Sequence, residues 1–222
     1  MLTWFPTPYP GELFYGILCR YYLSSGIREH ALVKQQLFGR KAGIKMATLY
    51  PNAAIHAVLS QLPKGVYDGR DMIVHHTPFA YYTRMYQPQE REALLDDLLQ
   101  GQGKTPTHLW RTFPRGDYAL RCCPLCVQED ARIYGEPYYH VEHQIPLSSV
   151  CVRHKCRLKQ ITVANARLSL NNCFFPLSAM ETDKEPDVNI SPAELRVSEL
   201  VREYWMLPAS VSPPTHNNLY QE

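Results

Sequence analysis

Apolar residues recur at helical spacing along much of the first hundred positions. Leu13, Phe14, Ile17, Leu18, Tyr21 and Tyr22 form one stripe. Ser24-Ser25-Gly26 ends it, because glycine supports the left-handed turn that closes a helix. A shorter stripe, Ala31, Leu32, Gln35 and Phe38, runs to Gly39. Two short helices joined by a glycine turn make a helix-turn-helix candidate. Pro51 suits the first position of a third helix with Ile55, Val58, Leu59 and Leu62 inward. Pro88 opens another, with Glu90 and Glu92 near its positive end and Leu94, Leu95, Leu98 and Leu99 inward. Residues 66–86 are aromatic-rich without a clean period. Ahead of all these, Trp4, Phe5, Pro6, Pro8, Tyr9 and Pro10 read as an extended arm, since proline disfavours helix at itself and at its neighbour. Such an arm either packs on its own domain or meets a partner.

The pattern changes after Gly101-Gln102-Gly103-Lys104. Residues 106–175 gather cysteines and aromatics with little helical period, and 137–145 and 157–164 read as short strands. Ser191-Pro192-Ala193-Glu194 is a capping box opening a last helix, with Val197, Leu200, Val201 and Tyr204 as its inward face. Pro208 to Glu222 reads as a linker.

Composition narrows the chemistry. The 222 residues carry a formal charge of +2, which neither demands nor excludes nucleic acid. No apolar run is long enough to span a membrane, and the N-terminus lacks the basic and apolar regions of a signal peptide, so a cytoplasmic location is expected. Seven cysteines, an odd number in a reducing compartment, favour metal ligation over disulfides. Cys19 lies in an apolar helical run and reads as a core thiol. Cys123-Pro124-Leu125-Cys126 and Cys151-Val152-Arg153-His154 are two ligand pairs of equal spacing. Their three sulfurs and one nitrogen make a tetrahedral set for one structural Zn2+. Cys122 competes with Cys123, and Cys156 with His154. His140 and His143 flank Glu142 without the spacing of a helical zinc-protease pair, and read as structural or polar-network histidines. No nucleophile has a base nearby in sequence, Gly101–Thr105 lacks the form of a phosphate loop, and the chain is expected not to be an enzyme.

The expected architecture is therefore mainly α with a small zinc-binding module. Residues 1–105 form a helical domain with the helix-turn-helix and the arm. Residues 106–175 form a zinc ribbon or treble-clef-like finger with short strands. Residues 176–222 supply a following helix and a linker toward a C-terminal region beyond this chain. The second helix and its exit carry Arg28, His30, Lys34, Arg40, Lys41 and Lys45, which suit either phosphate contacts or merely a solvated face.

Several motifs, in order, resemble the TniQ/TnsD family. They are Phe5-Pro6-Thr7-Pro8-Tyr9-Pro10-Gly11-Glu12-Leu13, Leu37-Phe38-Gly39, His76-Thr77-Pro78-Phe79-Ala80-Tyr81-Tyr82 and Leu120-Arg121-Cys122-Cys123-Pro124-Leu125-Cys126. They continue through Asp130, Tyr134-Gly135-Glu136-Pro137-Tyr138, His140, His143-Gln144 and Cys151-Val152-Arg153-His154. Tyr139 stands where the family often has tryptophan. The resemblance implies a target-selection subunit of multi-component transposons that does not itself cut DNA. It also implies a helix-turn-helix ahead of the zinc module. Such a protein recruits an AAA+ ATPase regulator of the transposase. It finds its site either on double-stranded DNA directly or through a CRISPR effector complex, in the second case acting as an adaptor. For direct binding the phosphate-gripping candidates are Arg28, Lys34, Arg40, Lys41, Arg121, Arg153, Lys155 and Arg157, with Lys159 beside them. For partner docking they are Trp4, Phe5 and Tyr9.

Overall fold

In the computed structural model, which describes residues 2–39, 53–63, 65–101, 120–161, 173–179 and 185–207, the central element is α1 (Phe14–Ser25). Its residues from Phe14 to Cys19 are all buried, so this half of the helix is covered on every side. Gly26, at φ +69°, ends it, and its N–H reaches the Leu23 carbonyl. The turn that follows is tied down by Tyr22 Oη, which donates to the Arg28 carbonyl at 2.9 Å, and leads into α2 (His30–Phe38).

The inward face of α2 differs from the expected one. Val33, Leu37 and Phe38 are buried, whereas Ala31, Leu32 and Gln35 are exposed. The reason is His30. Its ring stacks on Tyr22 at 4.8 Å and lies 6.0 Å from Phe174, and its Nδ1 accepts the Phe174 N–H. That cluster of three rings sets the rotation of the helix.

Further along are α3 (Ala53–Leu59), α4 (Gly69–His75), α5 (Phe79–Tyr82) and α6 (Pro88–Leu99), with α3 packing on α2, α4 and α6. Residues 66–86, unassigned from the pattern, hold α4 and α5. Asp68 caps α4 by accepting the Arg70 N–H, and Gln87 and Glu90 cap α6 reciprocally. Pro51, Arg40, Lys41 and Lys45 lie outside the described residues.

The cysteine-rich part is built from α7 (Pro124–Tyr134) and four two-residue strands. β1 (Arg121–Cys122) pairs antiparallel with β4 (Lys159–Gln160), and β2 (Val150–Cys151) with β3 (Cys156–Arg157). Residues 137–145 do not form the expected strand. One bridge, Glu12 to His140, joins this segment to the arm. It cannot lengthen, because α1 begins at Phe14 on one side and a 3-10 turn (Glu142–Gln144) on the other. Leu120, Cys122, Tyr139, Val141, Ile161 and Phe174 join the same apolar core as α1.

The last helix, α8 (Pro192–Met206), has the expected capping box at Ser191 and Glu194. Its inward face again differs. Ser198 is fully buried and accepts the Val150 N–H, while Val197 and Leu200 are 44% and 48% exposed. A small residue at the contact lets the helix approach β2 closely. Arg157, paired with Glu194 and Asp187, and Arg202, 3.0 Å from Glu142, pin the helix to the module.

Candidate metal centre

Cys123 is the N-cap of α7, Pro124 occupies its first turn, and the Cys126 N–H donates to Cys123 Sγ at 3.4 Å. The two-residue gap therefore places both sulfurs at the positive end of a helix, where thiolates are favoured. The second pair comes from the β2–β3 hairpin. Cys151 ends β2, and Lys155, at φ +50°, turns the chain back after His154.

The donor atoms of Cys123, Cys126, Cys151 and His154 all lie within 4.8 Å of one another. His154 Nδ1 is 3.5, 3.3 and 3.7 Å from the sulfurs of Cys123, Cys126 and Cys151, and Cys126 Sγ is 3.8 Å from Cys151 Sγ. Ordinary zinc bond lengths give tetrahedron edges of about 3.8 Å between sulfurs and about 3.5 Å from sulfur to nitrogen. The donor set fits a tetrahedral cation. The charge state points the same way. Cys123 is pulled down because its sulfur accepts hydrogen bonds from Cys126 and Cys151. Cys126 is pushed up because its thiol hydrogen-bonds to the Cys123 sulfur, and burial and the neighbouring sulfurs add to this. A bound dication would supply the charge that lets all three ionise.

Of the competitors, Cys122 and His140 sit away from the cluster, while Cys156 and His143 pack against it outside the four-donor set. Cys122 packs in the apolar core, and burial pushes its thiol up to about 12. Cys156 Sγ lies 3.4 Å from Cys123 Sγ, and burial holds it as a thiol, so it donates to that sulfur. His140 Nε2 is 2.8 Å from Asp130. His143, fully buried and lowered to about 4 by desolvation, stacks near His140 with Nε2 3.9 Å from Cys126 Sγ.

One neighbour escaped the sequence reading. Glu129 Oε2 is buried, accepts no hydrogen bond, and stands 3.3 Å from His154 Nε2. Its other oxygen holds Arg153 at 2.6 Å. A carboxylate at that distance favours the tautomer with the proton on Nε2 and the Nδ1 lone pair toward the sulfurs. The only signal in the sequence was its place on α7 one turn after Cys126. Glu129→Ala is expected to lower zinc affinity about 10- to 100-fold, read by chelator competition.

A second constellation gathers the motifs of the arm, His76 and residues 136–141. The Leu13 N–H donates to the Tyr139 carbonyl at 2.6 Å, the Val141 N–H to Gly11 at 2.9 Å, and His76 Nδ1 bonds the Glu12 carbonyl at 2.7 Å. Glu12 Oε2 takes the Arg20 guanidinium and the Tyr9 N–H, both at 2.9 Å. Arg20 also pairs with Glu136 at 2.7 Å and lies 3.7 Å over the Tyr9 ring.

Most of the expected contact residues face inward or pair within the chain. Phe5 is 3% exposed and packs edge-on against Tyr67, so its ring serves the core. Tyr9 is wedged among Arg20, Tyr134 and Tyr138. Trp4, stacked on Tyr21, remains 52% exposed. The Arg121 guanidinium donates to the Ser148 and Ile145 carbonyls, shaping the loop before β2. Arg153 and Arg157 form the ion pairs described above. Arg28 and Lys155 are exposed, and Lys34 is half-buried on α2.

Among the described residues no helix is long and apolar enough to cross a membrane. Residues 3–158 match the sequence model of the TniQ family. The chain is 25% identical over 155 residues to the transposon Tn7 transposition protein TnsD of Escherichia coli, an alignment covering 68% of this chain. It spans 30% of that relative's length. With the family's motifs folded into one donor cluster and one ion-pair hub, the chain belongs to the TniQ family.

Proposed function

We propose that the chain is a target-site selector for transposition. In this reading it binds double-stranded target DNA in the cytoplasm and recruits the AAA+ ATPase regulator of the transposase. Cys123, Cys126, Cys151 and His154 hold one structural Zn2+. The observation that carries the reading is the family match across residues 3–158. Four protein donors leave no position for water or substrate, so the ion would cross-link α7 to the β2–β3 hairpin, and no catalytic step is assigned to the chain. Arg28, Lys34 and Lys155 are the described cations best placed for phosphate, with Arg40 and Lys41 following α2 in sequence. Arg121, Arg153 and Arg157 serve chiefly to hold the module's shape.

The test is a footprint with the zinc-loaded chain on attachment-site DNA over a range of salt. A protected site and an affinity that falls steeply with salt are expected. Uniform binding without a footprint would leave the second reading, an adaptor between a CRISPR guide-RNA effector and the transposition machinery. The exposure of Trp4 favours a protein contact of that kind. Trp4→Ala should keep the melting temperature and weaken capture of the ATPase, and undiminished capture would remove Trp4 from the docking surface.

A further inference from the structure

α2 turns a face of two aliphatic and two amide side chains to solvent. Ala31, Leu32, Gln35 and Gln36, neighbours on adjacent turns, are all exposed. The helix cannot roll to hide them, because His30 stacks on Tyr22 and accepts the Phe174 N–H and because Val33, Leu37 and Phe38 are buried. Leu32 is 47% exposed. The Gln35 amide bonds nothing among the described residues, and the Gln36 amide receives only a 3.5 Å contact from Tyr21 Oη. The charges are set at the margins. Arg28 is exposed just before the helix and Lys34 lies on its flank, while Glu29, at the N-cap, would repel a phosphate placed directly on the helix end. This distribution suits a helix lying in a groove, with amides toward base edges and cations near the phosphates.

We infer that α2 reads bases in the major groove and that its site contains A·T pairs, with Gln35 contacting adenine and Leu32 and Ala31 packing on a thymine methyl. The inference rests on the DNA-binding reading proposed above. The glutamine amide nitrogen donates to adenine N7 while its oxygen accepts from the N6 amino group. Guanine presents acceptors at both N7 and O6, leaving the amide oxygen without a donor, and arginine suits it better. Thymine adds an apolar methyl on the same edge of the groove, which suits leucine and alanine.

The experiment is selection from a randomised duplex pool with the full zinc-loaded chain, followed by affinities for the selected duplex and its single-pair variants. Gln35→Ala and Gln35→Arg change an exposed side chain, and their melting temperatures should match the parent's. The expected motif includes A·T pairs. Gln35→Ala should cut discrimination at one position by about 5- to 100-fold, and Gln35→Arg should move the preference there from adenine to guanine. Should the parent select a motif that Gln35→Arg leaves unchanged, α2 is not the reader, and DNA binding stands without it. Should the parent select nothing, both readings fall. A Gln35→Ala defect confined to ATPase capture would assign the face to a protein and overturn the inference.

Discussion

Cys151→Ser is expected to abolish metal binding and to unfold the module from Leu120 to Ile161. Structural zinc in finger peptides contributes an apparent binding energy of about 10–16 kcal/mol at neutral pH, and that energy is folding energy. The strands here are two residues long and supply little stability alone. The damage should spread. Ser198 of α8 bonds the residue next to Cys151, and Tyr139 and Val141 belong to the core that covers α1. The parent should contain about one zinc per chain, the variant almost none, and a chelator should lower the parent's melting temperature to near the variant's. Cys122→Ala should keep its metal, since that sulfur lies in the apolar core. A parent unaffected by chelation, melting together with Cys151→Ser, would remove the metal from the account.

Arg20→Met is expected to destabilise the fold by about 3–5 kcal/mol at pH 8, because it leaves the Glu12 carboxylate buried without its partner. The loss should depend on pH, with a definite sign. Burial already pushes Glu12 up to about 7, against the pull of Arg20 and the Tyr9 N–H. A carboxyl whose folded pKa lies above its unfolded one contributes stability that is full below the unfolded value. That contribution is lost as pH rises through the folded value. The parent should therefore be somewhat less stable at pH 8 than at pH 6. Removing the guanidinium pushes Glu12 higher still, so the variant's slope should be steeper, and adding Glu12→Gln should flatten it. Denaturant melts at pH 6 and 8 measure this. A loss of equal size at both would mean that Arg20 acts through packing on Tyr9 rather than through Glu12.

Sequence pattern was most informative where a single local rule decides. The glycine end of α1, the capping box of α8 and the two cysteine-led pairs each depend on residues within a few positions of one another. Where two stripes overlap, the pattern could not choose. From His30 to Phe38, both Leu32 with Gln35 and Val33 with Leu37 are compatible with a helical period. The choice is made by Phe174, which lies far away in sequence. On α8, two exposed aliphatic residues outscored Ser198, although a close contact with β2 requires the smaller side chain. The strand expected at 137–145 failed because both bridging segments soon become helical. The arginines near the zinc ligands read as phosphate contacts. Their partners, the Ser148 carbonyl, Glu129 and Glu194, come from other elements, and a linear reading of charge cannot pair them.

The seating of the arm and α1 against residues 139–141 and 173–175 bears on how the protein is made. Tyr15 Oη donates to the Cys173 carbonyl and accepts the Phe175 N–H, and Leu13 is bonded to Tyr139. At ordinary rates of synthesis, roughly 10 s pass between the emergence of α1 from the ribosome and that of the segments which cover it. Throughout that interval part of an almost wholly apolar stretch stays uncovered, although α2 and the following helices already pack on it. The nascent chain should therefore depend on chaperones more than its modest size suggests, and its folding should be slow for a mostly helical protein.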